Sequence, residues 1–299
     1  MGTTYSIKFS NSEIPIYKIQ KDISDILDTV NNQMSTYKSD SEISIFNKGA
    51  SNLSQKISSD FYYVLDKSKY YYDLSNGFFD VTVEPLSEIW GFSNKDFIFP
   101  EPNNIDSILN IIGFDKIKLL SDNMIAKDNS NIRISLNAIA KGYAVDKIAE
   151  YFENNNVYNY MVEIGGEVRT KGLNSFDKEW KIGLSSFELE VGNIINSISI
   201  SSGSLATSGD YRNFIVYNNK SYSHVINPRT GYPTENNVVS ATVIADYCID
   251  ADALATLLNV MDVNSSLELI NRLDSVECFI IQRDGNEFNY YYSENMKKY

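Results

Sequence analysis

The sequence predicts an α+β fold, with mixed strands and helices in a single large domain over residues 1–299, and three observations predict it. Segments with the two-residue period of strands and segments with the period of helices follow one another without strict alternation, unlike a doubly wound sheet. Hydrophobic residues make up 43% of the 299, enough for a packed core. No internal repeat and no Pro/Gly/Ser-rich linker divides the chain.

The elements follow in order. YSIKF, from Tyr5, alternates and reads as a first strand. From Ile16, the residues Ile19, Ile23, Ile26, Leu27 and Val30 recur at helical spacing, which predicts an amphipathic helix of about four turns. Phe61, Val64, Leu65, Ser68 and Tyr72 predict a second helix. Ile105, Ile108, Leu109 and Ile112 predict a short third, stopped by Gly113. IRISL (132–136) is strand-like, and NAIAKGYAVDKIAEYF after it is helix-like, with Asn137 as its N-cap. YMVEI (160–164) is a strand that ends on Gly165 and Gly166. WKIGL, NSISIS, FIVY, VVSATVI and CFIIQ read as further strands, and DADALATLLNVMD is a helix between the last two. KSDSEISIFNKGASNLSQK (38–56) is the most loop-like stretch.

Composition excludes several function classes. The formal net charge is -13 and no basic cluster interrupts it, which disfavours a nucleic-acid partner. Two cysteines, Cys248 and Cys278, are too few for a disulfide framework or a zinc site. A single histidine, His224, excludes a His-rich metal site and weakens a Ser-His-Asp hydrolase reading. No apolar run approaches the ~20 residues that a membrane span needs. MGTTYSIKFS lacks a charged n-region and an apolar h-region, so no signal peptide shows in it.

Two constellations could carry chemistry. At 100° per residue Lys141 falls on the stripe of Val145, Ile148 and Phe152, and lysine is rare on an apolar face. Near a helix N-terminus this suggests a site for phosphate or carboxylate; a lysine snorkelling to solvent gives the same pattern. In DADALATLLNVMD, Leu254, Leu257, Leu258 and Met261 form an apolar face, with Asp252 and Thr256 one turn apart opposite it. A carboxylate and a hydroxyl so spaced could hold a hard cation such as Mg²⁺, and the small Ala253 and Ala255 beside them let another backbone approach. An ordinary solvated face is the alternative. The glycines of EIGGEV and SGSLATSGDY offer places for close backbone approach or plain turns.

Taken in order, MGTTYSIKF, MSTYKSDSEISIFN, GFFDVTVEPLSEIWGF, ISLNAIAKGYAVDKIAEYF, VEIGGEVRTKG, LATSGDYRNF, YSHVINPRTGYP and ADALAT resemble the blocks of the ApbE family, the FAD:protein FMN transferases. The resemblance runs from Met1 to about Val263. It implies an α+β fold of the T-fold type and a Mg²⁺-dependent enzyme that cleaves the FAD pyrophosphate. FMN passes to a Ser or Thr hydroxyl of an acceptor flavoprotein, and AMP leaves. By position it implies metal ligation by the Asp252 carboxylate, the Thr256 hydroxyl and the backbone carbonyl of Ala138. It implies FAD contacts at Met1, Tyr37, Phe78, Phe79, Asp80, Ser135, Lys141 and Ile226. His224, in the family's SH-x-I-x-P-x-T-G block, becomes the base or proton shuttle, acting with Asp252 as a catalytic residue. The chain departs from the family at three positions: Ser135 and Asn227 stand where Asp is usual, and Asn137 where Gly is usual. An FAD pyrophosphatase with water as acceptor, or an FAD-binding protein without turnover, would share these motifs. The resemblance also implies an extracytoplasmic, lipid-anchored location, with the leader absent from this sequence.

Overall fold

The computed structural model describes residues 2–92, 99–185, 194–209, 214–217 and 220–296. Along the chain come β1 (Tyr5–Ser10), α1 (Ile16–Met34), α2 (Glu42–Lys48), β2 (Gln55–Lys56), α3 (Ser59–Leu74), α4 (Glu84–Ile89) and α5 (Pro102–Leu109). Then follow β3 (Ile117–Leu120), β4 (Met124–Lys127), α6 (Ala140–Asn154), β5 (Asn159–Ile164), β6 (Glu167–Lys171), β7 (Trp180–Ser185), β8 (Ile194–Ile200) and β9 (Ser202–Gly209). The chain closes with β10 (Phe214–Tyr217), β11 (Lys220–Ser223), β12 (Val238–Ala245), α7 (Cys248–Val260), α8 (Val263–Ile270), β13 (Glu277–Asp284) and β14 (Glu287–Tyr292). Strands and helices are mixed as an α+β fold requires. The described residues group into two compact units.

The first unit holds Asp28–Ala140 and the described part of Arg212–Asn236. Its small sheet runs β2-β4-β3, antiparallel throughout. Phe61, Val64 and Leu65 of α3 are fully buried, as their helical spacing predicts. A second cluster gathers Leu86, Trp90, Ile105, Ile112 and Ile226.

Three expectations fail in this unit, each for a physical reason. The stretch expected to be a loop contains α2, whose first turn is capped by Ser41: the Ser44 N–H donates to its hydroxyl. IRISL forms no strand, because side chains satisfy its backbone. Asn47 donates to the Ile134 carbonyl and accepts from the Ile134 N–H, both at 2.9 Å. The buried Lys127 ammonium donates to the carbonyls of Asn47, Ser130 and Ile132. Lastly, α5 ends at Leu109, before Gly113. Gly113 instead turns the chain at φ 125° and donates its N–H to Thr82 Oγ1 at 2.7 Å.

The second unit holds Gly2–Leu27, Asn237–Tyr299 and Lys141–Tyr211 in their described parts. Its sheet runs β1-β5-β6-β9-β12-β13-β14, every neighbour antiparallel. Side chains alternate across it. Val168, Leu205, Ile244, Phe279 and Ile281 point to one face and pack with Ile182, Ile198 and Ile200 of the β7–β8 ribbon. Each fully buried aliphatic there contributes roughly 1.5–3 kcal/mol. The other face carries α7, which lies against β6, β9 and β12. α7 is buried almost all round, Asp252 included, so its polar residues do not form a solvated face.

Candidate active site

The helix predicted after IRISL starts at Ala140, so Asn137 is not its N-cap. Asn137 is exposed in a turn over 137–139, closed by the Ile139 and Ala140 N–H groups on the Leu136 carbonyl. Ala138 is half-buried in that turn.

In the second unit α6 and α7 meet at unusually short range, and a glycine allows it. A Cβ on Gly142 would lie 2.3 Å from the Cys248 carbonyl oxygen and 2.8 Å from Asp252 Cβ. Any larger residue would force the two helices apart. The Gly142 N–H donates to Asp252 Oδ2 at 2.9 Å. One turn further along α6, the Asp146 carboxylate takes the N–H groups of Cys248 and Ile249 at 3.0 and 2.8 Å. Tyr247, at the N-cap, supplies no side-chain cap; Asp146 replaces it and puts negative charge where the helix dipole favours it. Thus α6 fixes the start of α7, and with it the place of Asp252 and Thr256. Asp252 is 3% exposed and Thr256 is half-buried.

Residues of β6 complete the cluster. Gly165 and Gly166, at φ 66° and 107°, make the reversal that brings the chain from β5 into β6. Glu167 and Arg169 then share a face of β6, opposite Val168. Glu167 Oε1 accepts from Lys141 Nζ at 2.7 Å, and Asp252 Oδ1 lies 3.4 Å from the same amine. Arg169 pairs with Asp146 at 2.7 Å and reaches Glu153 at 3.3 Å. Lys141 is therefore not a lysine snorkelling into water: its amine lies between two carboxylates. Burial lowers its pKa, but Asp252 and Glu167 more than offset this and hold it above the ordinary value. Burial and the Asp252 charge push Glu167 upward, against the pull of Lys141. Sequence reasoning passed over Glu167, Gly142, Asp146 and Arg169. The only sign was the period of two in GGEVR, which puts Glu167 and Arg169 side by side.

The remaining expected residues other than Met1 lie in the first unit. Met1 lies outside the described residues. Tyr37 is 89% exposed. Phe78 is half-buried, with the Arg229 guanidinium 4.6 Å above its ring. Phe79 turns inward, edge-on to Tyr71. Asp80 is 8% exposed; its Oδ1 accepts from Thr82 N–H at 2.8 Å and Thr82 Oγ1 at 2.7 Å. Burial, only partly relieved by these bonds, raises Asp80 to about 6. Ser135 joins this turn through its N–H on the Val81 carbonyl at 2.8 Å. Phe78, Asp80 and Ser135 thus belong to one local neighbourhood.

His224 follows β11 and is half-buried. The loop after it is rigidly built. Ile226 bridges Pro233, Thr234 N–H donates to the Val225 carbonyl at 2.9 Å, and Asn227 N–H to that of Tyr232 at 2.9 Å. Asn227 Oδ1 accepts from Arg229 N–H, a task an aspartate performs equally. Gly231, at φ +77°, sits so close to Ile105 that a Cβ would come within 2.4 Å of it. Its carbonyl accepts from Trp90 Nε1 at 2.8 Å. The crowd of Pro, Gly and Arg around the lone histidine is an anchored frame.

Known proteins share this architecture. A model of the ApbE family matches residues 1–280. The chain is 35% identical to the FAD:protein FMN transferase of Vibrio cholerae, over all of this chain and 90% of that protein. It is 36% identical to the FAD:protein FMN transferase of Haemophilus influenzae, over 96% of this chain and 86% of that one. The solved structure of the flavin transferase ApbE from Vibrio cholerae superposes with a TM-score of 0.90, covering 100% of this chain and 96% of that one.

Proposed function

The chain belongs to the ApbE family, and from that premise we propose the reaction it performs. It is a flavin transferase with FAD as its substrate and a protein as acceptor of FMN. We propose that one ApbE-type transferase domain spans 1–299 and that the acceptor atom is a Ser or Thr hydroxyl of a flavoprotein. The oxygen of that hydroxyl attacks the FMN-side phosphorus. The bond from that phosphorus to the bridging pyrophosphate oxygen breaks, AMP leaves with that oxygen, and the hydroxyl proton passes to His224. The observation that carries the reading is the full-length match to flavin transferases at 35% identity.

The donor set fits a hard divalent cation. Asp252 is buried, with Oδ2 engaged by the Gly142 N–H and Oδ1 3.4 Å from the Lys141 amine. Thr256 offers a neutral oxygen one turn on, and two carboxyl groups, those of Asp252 and Glu167, flank the single Lys141 ammonium. We propose that Asp252, Thr256 and the Ala138 carbonyl hold Mg²⁺, which when bound would neutralise charge on the pyrophosphate. Lys141 supplies a second positive charge to the anionic substrate. Phe78, Phe79, Asp80, Ser135 and Ile226, with Met1 and Tyr37, form the proposed FAD contacts. His224 is the natural proton acceptor, since histidine alone has an ordinary pKa near neutrality. An extracytoplasmic, lipid-anchored location is proposed on the resemblance alone.

The test is incubation with FAD, Mg²⁺ and an acceptor domain bearing a flavinylation Thr. Flavin fluorescence that stays on the acceptor after denaturation, with stoichiometric AMP, is the expected result. AMP with free FMN only would mean that water is the acceptor; no AMP at all would refute turnover.

A further inference from the structure

The reaction as proposed employs Lys141 and Asp252 but leaves Glu167 without a task. Glu167 is 4% exposed. Its Oε1 binds Lys141 at 2.7 Å, while Oε2 has no hydrogen-bond partner among the described residues. A buried carboxylate with an orphaned oxygen is a poor device for stability, because desolvation is only half repaid. Its use is to be sought in what it does to its partner.

The two contacts of the Lys141 amine are unequal. At 2.7 Å the bond to Glu167 is a full charge-assisted hydrogen bond, whereas 3.4 Å to Asp252 is at the limit of one. An ammonium drawn fully onto Asp252 would occupy Oδ1 and set a positive charge beside any cation there. Glu167 draws it the other way. The Gly165–Gly166 reversal and the alternation of β6 hold the carboxylate at that place.

We propose that Glu167 is a positioning residue that holds the Lys141 ammonium off Asp252, keeping Asp252 Oδ1 open to a divalent cation. This rests on the proposed reading that Asp252 is a cation ligand. Without Glu167 the amine closes on Asp252, and cation affinity falls on the order of ten- to a hundredfold, from Coulomb repulsion at a few ångströms in a partly screened site.

The test is calorimetric titration of Mg²⁺ into the full chain without FAD, for the wild type, Asp252→Ala, Glu167→Gln and Glu167→Gln/Lys141→Met. Binding to the wild type and its loss in Asp252→Ala are expected first; failure there overturns the cation reading and this inference together. Glu167→Gln is expected to weaken binding, and adding Lys141→Met to restore it, since the displaced charge is then gone. Wild-type affinity in Glu167→Gln, or a double variant as weak as the single, overturns the positioning role alone. A residue needed only for folding would not be rescued by removing its partner. Should Glu167→Gln fail to fold, Glu167→Asp carries the same comparison: its carboxylate falls one methylene short, so binding weakens and Lys141→Met restores it.

Discussion

Replacing Gly142 by Ala separates helix propensity from helix packing, because the two demand opposite signs. Gly142 lies inside α6, at none of the positive φ angles that reserve a position for glycine. On propensity alone, Ala there gains about 1 kcal/mol. The packing says otherwise. The new methyl would meet the Cys248 carbonyl oxygen at 2.3 Å, its carbon at 2.7 Å and Asp252 Cβ at 2.8 Å. Two of these are backbone atoms at the start of α7 and cannot rotate away. To reach ordinary contact the helices must part by roughly 1 Å, which costs ~1–3 kcal/mol of overpacking strain. The Gly142 N–H bond to Asp252 Oδ2, 2.9 Å here, stretches with them, and a bond to a charged group is worth ~1.5–3 kcal/mol. Set against the propensity gain, the variant loses about 2–4 kcal/mol. The midpoint of thermal unfolding then falls by roughly 5–15 °C, read by circular dichroism at fixed protein concentration. An unchanged or raised midpoint would refute the close-packed junction and the placement of Asp252 that depends on it.

Other perturbations read single groups. Asp80 is raised to about 6 from 3.8, so between these values the folded state holds a proton that the unfolded state has released. Stability therefore falls as pH rises through that window, by about 3 kcal/mol in all. Asp80→Asn, whose Oδ1 still accepts from Thr82, should flatten that slope in urea titrations from pH 4 to 7; an unaltered slope assigns it elsewhere. His224→Ala should keep the fold and FAD binding while transfer slows ~10²–10⁴-fold, and wild-type rates would dismiss it as the base. Asp252→Ala should abolish transfer at any Mg²⁺ concentration. Thr256→Ala should instead be a milder loss that added Mg²⁺ partly recovers, and equal losses would contradict the unequal ligand strengths.

Local chemistry decided what the sequence could reveal. α1, α3 and α6 were readable because an apolar stripe at helical spacing must find a core, and β5 because its alternation is regular. α2 escaped notice because the polar run before it looks like a loop; its signals were a serine at the N-cap and a glycine after Lys48. IRISL misled for a different reason. Its alternation is real, but Asn47 and Lys127, far away or outside the segment, took the backbone groups a neighbouring strand would have used. The same distinction governs the site. Asp252 and Thr256 could be paired from the sequence because a helix sets their spacing. Glu167 could not, because its partner Lys141 lies 26 positions away, on a helix rather than a strand, and only the tertiary fold brings them together.

A chain with formal net charge -13 whose substrate, FAD, is itself an anion faces a problem of sign, and the arrangement around α6 bears on it. Lys141 and Arg169 are the cations nearest the junction, yet each is flanked by two carboxylates: Glu167 and Asp252 for one, Asp146 and Glu153 for the other. Neither side chain by itself makes the junction attractive to an anion. Two cations among four carboxyl groups leave a shortage of positive charge, which the proposed divalent cation would offset. Asp146, Glu167 and Asp252 are buried, so the field they set up is screened far less than on an open surface. In the proposed reading, the acidity that opposes the substrate is what recruits the cation that receives it. Lys141, held by Glu167 beside rather than upon Asp252, adds to that charge without competing for the oxygen on which it depends.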